Sequence, residues 1–334
     1  MNYELKIVKI VVPLALAVGI LWWMYRGIRW EELEDALSHQ MSWTWMLLSM
    51  PFGILAQVLR AMRWRQVLAP VGERPRLSTC THAVFLSYAS SLIVPRVGEV
   101  LRCGILKKYE GTNFSCCVGT VVTERIIDTL IILVLSFLTF LTQIPVFLTF
   151  FQRTGVSIGS VLGTFSLTGY LVTAVCGILA LLCIVLLARR FHFFSRTKNV
   201  LSDLTNGLLS VRKVEQPVLF IIYSIGIWAS YFLHFYLTFF CFDFTAKLGP
   251  LAALVAFVVG TFAVLVPTPN GAGSWHFAVK TVLVLYGVEQ TASALFVLIV
   301  HTLQTLLVVL LGVWSVVALA YLFPKNLGDK RKKY

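Results

Sequence analysis

The chain has 334 residues, 58% hydrophobic and 13% charged, and a net charge of +13. Soluble chains average about 25% charged and 45–50% apolar, so a soluble enzyme or a basic nucleic-acid-binding domain is excluded. The Lys and Arg residues fall between apolar runs, where they orient a polytopic membrane protein and meet anionic headgroups.

Taken in chain order, Lys6-Ile7-Val8-Lys9 precedes an apolar run ending at Tyr25. Trp22-Trp23 stands where a cleavage site needs small residues, so 8–25 is read as an uncleaved first helix. Segment 26–41 mixes both charges and predicts a short amphipathic helix at the outer interface, with Trp30, Trp43 and Trp45 in the aromatic belt. The second span is 42–60. Arg60, Arg63, Arg65, Arg74 and Arg76 follow and predict a cytoplasmic loop, with Arg60, Arg63 and Trp64 on its basic face. A short, broken apolar unit covers 79–115. The spans 117–142, 161–188, 217–242 and 293–322 follow, and a second broken unit covers 250–287. The basic loop 189–198, an amphipathic segment at 191–216 and the tail after 322 are expected on the cytoplasmic side. Linker 143–160 carries only Arg153, and 287–292 only Glu289, so both are expected on the other side.

Single crossings at both broken units contradict these loop charges, because 96–108 is also basic. The conflict disappears if each unit enters and leaves on one side. The expected fold is therefore an all-α polytopic membrane protein, one domain over 1–334. It is an inverted repeat of two four-element halves, 1–142 and 161–322, each with a Pro/Gly-broken re-entrant hairpin. A cytoplasmic tail, 323–334, follows. Paired broken segments of this kind mark a transport site.

Three constellations carry chemistry. In the first break, Val94-Pro95-Arg96-Val97-Gly98-Glu99-Val100-Leu101-Arg102, the charges Arg96, Glu99 and Arg102 recur at steps of three, along one helical side. Pro95 suits a first helical turn, and a helix start beside Arg96 favours an anion such as phosphate. Second, Glu124, Arg125 and Asp128 interrupt the run Val118–Leu141. Each costs about 2.5–3.5 kcal/mol at a helix centre, so they are expected to face the interior and pair with Arg96, Arg102 or each other. Third, Pro267-Thr268-Pro269-Asn270-Gly271-Ala272-Gly273-Ser274 cannot be continuous helix and must be covered by protein or water. Ser274 is expected to cap a helix restarting at Trp275, with His276 in its first turn as a hydrogen-bonded or proton-sensitive group.

The seven cysteines show no CxxC spacing and read as small buried residues. His234 and His301 show no spacing that gathers carboxylates, so neither a metal site nor a cofactor is expected. Asn113-Phe114-Ser115 fits a glycosylation acceptor placed on the wrong side to be used. No nucleophile or nucleotide motif occurs.

The motifs Arg60-Ala61-Met62-Arg63-Trp64, Pro95-Arg96-Val97-Gly98-Glu99 with Arg102, Glu124-Arg125 with Asp128, and Pro267 through Gly273 resemble, in that order, the lysylphosphatidylglycerol synthase transmembrane-region family. These are flippase-like membrane proteins. The resemblance implies a lipid-handling membrane domain, expected here without the soluble aminoacyltransferase domain of larger members. It departs from the pattern twice: Asn270-Gly271 stands for the usual Gly-Gly, and His276 for the usual acid after the break.

The expected function is movement of a phosphate-headed lipid between leaflets of the cytoplasmic (inner) membrane, with both termini cytoplasmic and no covalent chemistry. Two alternatives stand beside it: a membrane-embedded lipid-phosphate transferase, and a non-transporting partner of a separate lipid- or glycan-modifying enzyme.

Overall fold

The computed structural model describes residues 18–22, 24–26, 29–94, 97–144, 210–266 and 268–322. The expected elements 8–25, 143–160, 161–188, 191–216 and 323–334 lie wholly or largely outside them, as do Pro95, Arg96 and Pro267.

Among the described residues all regular structure is helical. Within them are eight helices of twelve residues or more: α1 (Trp43–Leu68), α2 (Leu77–Ser91), α3 (Val97–Glu110), α4 (Phe114–Thr142), α5 (Pro217–Tyr236), α6 (Gly249–Ala263), α7 (Ser274–Leu285) and α8 (Gln290–Leu322). Helices α1, α4, α8, and α5 with its 3-10 extension to Cys241, are long and apolar enough to cross a membrane. At 1.5 Å per residue the 29 residues of α4 reach about 43 Å, beyond a hydrocarbon core of about 30 Å. Leu130, Leu133 and Phe137 on α4, and Leu310, Val313 and Trp314 on α8, are more than half exposed, an outward apolar face suited to lipid. The protein is a polytopic helical membrane protein.

Helix lengths run long, short, short, long in α1–α4 and again in α5–α8. Each short pair corresponds to one of the expected broken units. The ends have local causes. Asn113 caps α4 by accepting from the Ser115 N–H (2.9 Å) and the Cys116 N–H (3.3 Å); this is the structural use of the Asn-Phe-Ser triplet. Glu289 precedes α8 and accepts from the Ala292 N–H at 2.8 Å. Segment 26–41 forms a helix at Trp30–Asp35 with a π-turn over Ala36–Gln40.

Helices α1 and α5 lie side by side and antiparallel. The Ser42 N–H donates to the Cys241 carbonyl (2.8 Å) at one end, and Arg74 meets Glu215 (3.5 Å) beyond the other. Nearer the first of these ends, His234 Nδ1 donates to the Ser49 carbonyl at 2.8 Å. Helices α2 and α3 pair as a hairpin, as do α6 and α7, and α2 also packs on α8 while α6 packs on α4. The hairpin α2–α3 is tied at its open end: Arg76 Nε (2.8 Å) and Thr79 Oγ1 (2.5 Å) donate to Glu110 Oε1. Small residues allow the close approaches. A Cβ on Gly98 would run into the Ser87 carbonyl, and one on Gly312 into Ala89 Cβ.

One expectation is corrected. The second span does not end at residue 60: α1 continues as helix through Leu68. Arg60, Arg63 and Trp64, expected on a cytoplasmic basic face, are buried instead, at 3%, 0% and 0% exposure. Counting arginines along the chain suggested a loop there; the carboxylates that neutralise them come from α4, which a local count does not see.

Candidate functional site

Glu124 and Asp128 are one turn apart on the inner face of α4, and both are buried. Glu124 lies ten residues into α4, about 15 Å along it, which is about half of a 30 Å hydrocarbon core. Three buried arginines converge on them. Arg60 donates to Glu124 Oε1 (2.6 Å) and Asp128 Oδ2 (2.7 Å). Arg63 reaches Asp128 Oδ1 (2.7 Å) and Glu124 Oε1 (3.3 Å). Arg102, from α3, donates to Glu124 Oε2 at 2.8 Å. Trp64 holds the set from below: its Nε1 donates to Thr120 Oγ1 (3.0 Å), and the Arg102 guanidinium lies 4.5 Å from its ring centre, a cation–π contact.

Charge does not balance here. Arg60, Arg63 and Arg102 give three positive charges; Glu124 and Asp128 give two negative. Arg125 and Glu99 pair with each other at 3.0 Å and are partly exposed, at 42% and 36% of their side chains, so they add nothing net. Among the described residues, one excess positive charge remains in a buried setting. The Nε atoms of Arg60, Arg63 and Arg102 are also buried without a hydrogen-bond partner among the described residues. Unpaired buried charge costs several kcal/mol, which a purely structural cluster would avoid by matching its numbers.

A cavity of about 460 Å³ opens beside this cluster. Arg60, Glu99, Arg102 and Arg125 line it, together with Ser87 and Ser91 from the tip of α2–α3, and Val264–Val266, Thr268, Asn270 and Gly271 from the tip of α6–α7. The two sequence breaks therefore face one space. Gly98 sits behind it as a packing residue against Ser87.

The second break is built with left-handed backbone. Asn270 has φ 52°, Gly271 φ 70° and Gly273 φ 84°, conformations favoured by Gly and tolerated by Asn. Pro269 opens the 3-10 turn Pro269–Gly271. The turn is stitched to α8: Asn270 Nδ2 donates to Thr305 Oγ1 (2.9 Å), and His301 Nε2 donates to the Asn270 carbonyl (3.2 Å). Ser274 is not the cap it was expected to be. Helix α7 begins at Ser274 itself, whose Oγ donates to the Gly271 carbonyl at 3.2 Å, and Gly273 is the N-cap. The Gly273 N–H donates to His276 Nδ1 at 3.2 Å. Ser274, one residue too late, has no free amide within reach, whereas the residue three after the N-cap can reach back.

Residues 10–312 match the profile of the Lysylphosphatidylglycerol synthase TM region family. The chain belongs to this family. An 80-residue stretch is 28% identical to the protein named Glycosyltransferase AglD of Haloferax volcanii; the stretch covers 24% of this chain and 13% of that protein. No solved structure matches.

Within the Lysylphosphatidylglycerol synthase TM region family, both departures have a structural account. Asn270 adopts a positive φ of the kind Gly takes most readily, and adds a side-chain bond to α8. His276 occupies the position from which Glu or Gln reaches back to the N-cap amide, and does so through neutral Nδ1.

The structure brings together Glu99, Arg102, Glu124, Arg125 and Asp128; Arg96 lies outside the described residues. It adds Arg60 and Arg63, which were assigned to a surface. A signal for them existed: Met62, Trp64, Val67 and Leu68 continue the helical apolar pattern past Arg60, so the arginines had to lie inside a helix.

Proposed function

We propose that the protein moves a lipid with a phosphate-containing head between leaflets, without covalent change. The observation that carries this is the excess of one buried positive charge, three arginines against two carboxylates, beside the cavity of about 460 Å³. A phosphate there completes the charge balance, and planar guanidinium groups with spare Nε–H donors suit its oxygens. Lipid tails remain in hydrocarbon while the head crosses through the interior.

The packing supports an inverted repeat. Exchanging α1–α4 with α5–α8 turns the α2–α3, α1–α2, α3–α4 and α2–α8 contacts into α6–α7, α5–α6, α7–α8 and α6–α4, all of which occur. The equivalent helices α1 and α5 run antiparallel, as a two-fold axis in the membrane plane requires. The hairpin α2–α3 opens at the end where α1 finishes. Tyr286, just after α7, donates to Gln143 just after α4 at 3.0 Å, which supports an opening of α6–α7 at the far end. Two re-entrant hairpins of opposite orientation then meet at the cavity. The basic residues Arg65, Arg74 and Arg76 at the first opening orient that end to the cytoplasm, which puts both termini there in a cytoplasmic or inner membrane.

The test is reconstitution into liposomes with labelled lipids. Exchange of an anionic phospholipid between leaflets, unmodified and lost on Arg102→Gln, is expected. A covalently altered lipid would point to transferase chemistry instead. A second reading, a membrane partner of a glycan-modifying enzyme, draws on the name of the partial relative; co-purification of such an enzyme, with no exchange, would favour it.

A further inference from the structure

A second cavity, of about 200 Å³, lies against the first. Tyr88, Val264 and Asn270 line both, so one extended ligand can reach from one to the other. The chemistry changes sharply across that wall. None of the described residues lining the second cavity is an acid, a lysine or an arginine. Its polar surface includes Gln57, Gln304, His234, His301 and the hydroxyls of Tyr88, Tyr231 and Thr305, beside Asn270, with Trp275 as an aromatic wall.

Each of the two imidazoles gives one ring N–H to a backbone carbonyl, and in its neutral form keeps the other nitrogen as an acceptor. His234 Nδ1 donates to the Ser49 carbonyl (2.8 Å), which leaves Nε2 as an acceptor. His301 Nε2 donates to the Asn270 carbonyl (3.2 Å) while Nδ1 accepts from Thr305 Oγ1 (3.4 Å). Tyr88 and Tyr231 share one hydrogen bond at 2.6 Å, so one of the two hydroxyls keeps a proton to offer. Gln57 is 4% exposed, and its Oε1 is buried with no partner among the described residues. A buried amide oxygen left unsatisfied costs stability, so its presence in a cavity wall points to a donor on a ligand.

We propose that this cavity is a head-group subsite that takes an uncharged, hydroxyl-rich moiety, a sugar or sugar-like polyol, carried on the phosphate that the arginine cavity holds. Amides and neutral imidazoles pair with hydroxyls as both donors and acceptors, and an aromatic wall covers the apolar C–H face of a ring. A cationic head finds no carboxylate there and loses its hydration without compensation. The proposal rests on the phosphate reading above, and the experiment separates the two.

Calorimetric titration of the purified full chain compares three short-chain lipids with the same acyl groups: phosphatidic acid, phosphatidylinositol and phosphatidylethanolamine. Phosphatidylinositol is expected to bind at least about tenfold tighter than phosphatidic acid, because a site built to bond hydroxyls discriminates strongly against a ligand lacking them. Phosphatidylethanolamine should gain nothing over phosphatidic acid. Gln57→Leu should bring phosphatidylinositol to within about twofold of phosphatidic acid, leave the phosphatidic acid affinity unchanged, and leave the unfolding midpoint equal or higher, since it removes an unsatisfied group. His234→Phe, which keeps a ring and deletes the acceptor, is the second variant should the first fail to fold. If phosphatidic acid binds but the wild type shows no preference, or both variants keep it, the subsite is wrong and the phosphate site stands. If none of the three lipids binds, the phosphate reading itself falls, and the subsite with it.

Discussion

Neutralising Arg102 and neutralising Glu124 should have opposite consequences, although the two residues form one ion pair at 2.8 Å. Glu124→Gln removes the partner of three arginines, at 2.6, 3.3 and 2.8 Å. Three buried positive charges then face Asp128 alone, an excess of two. Breaking a buried pair in this way costs about 3–5 kcal/mol. Arg102→Met leaves two arginines against two carboxylates. It forfeits a charge-assisted hydrogen bond worth about 1.5–3 kcal/mol and a cation–π contact with Trp64 worth about 0.5–2 kcal/mol. Against this it removes one uncompensated buried charge, itself worth several kcal/mol, and the Met sulfur retains a favourable contact with the Trp64 ring. The net change for Arg102→Met is therefore expected within about 2 kcal/mol of zero, with leaflet exchange abolished. Thermal unfolding of each variant in lipid nanodiscs ranks stability, and exchange in liposomes reports function. Equal, large losses of stability for both variants, with exchange surviving in whatever Arg102→Met protein folds, would show that Arg102 is a structural counter-ion and that no charge is held in reserve for a ligand.

Arg102→Lys should restore only part of the exchange lost in Arg102→Met, measured at equal protein density, because an ammonium cannot present two parallel donors to a phosphate. Gly98→Ala should lower the unfolding midpoint strongly, since its Cβ would strike the Ser87 carbonyl, whereas Gly104→Ala in the same helix meets nothing within 4 Å and should be neutral or stabilising by about 0.5–1 kcal/mol; equal effects would mean that α2 and α3 are not in contact at Gly98. Glu289→Ala should cost about 1 kcal/mol or less through loss of the α8 cap. Hydrogen bonds from the Thr291 and Ala292 amides hold the Glu289 carboxylate below its ordinary range, so its contribution is complete above about pH 4.3 and is lost as pH falls through the lowered value; stability of wild type and variant should converge in acid. Single cysteines at Ser78 and Lys108 on a cysteine-free background should label from the same side of the membrane, and labelling from opposite sides would end the re-entrant description of α2–α3.

The sequence by itself settled the features that local composition dictates. Apolar runs of bilayer length gave helices α4, α5 and α8 within a few residues of where they are, and Pro and Gly placed the two breaks, because a proline removes a backbone donor wherever it stands. The cost of a charge in hydrocarbon was enough to turn Glu124 and Asp128 inward without knowing their partners. Those partners were decided only by tertiary structure. Arg60 and Glu124 are 64 positions apart, and no periodicity encodes a contact between two different helices. For the same reason Arg60 and Arg63 looked like a cytoplasmic surface: loop-charge counting weighs each arginine alone, while the fold gathers two carboxylates around Arg60, Arg63 and Arg102. The start of α7 turned on geometry of a finer kind, since whether Ser274 or His276 meets the first free amide depends on where a left-handed Gly273 lets the helix begin. The two cavities were beyond reach for the broadest reason: an enclosed space belongs to no residue, and exists only where separate helices fail to fill the volume between them.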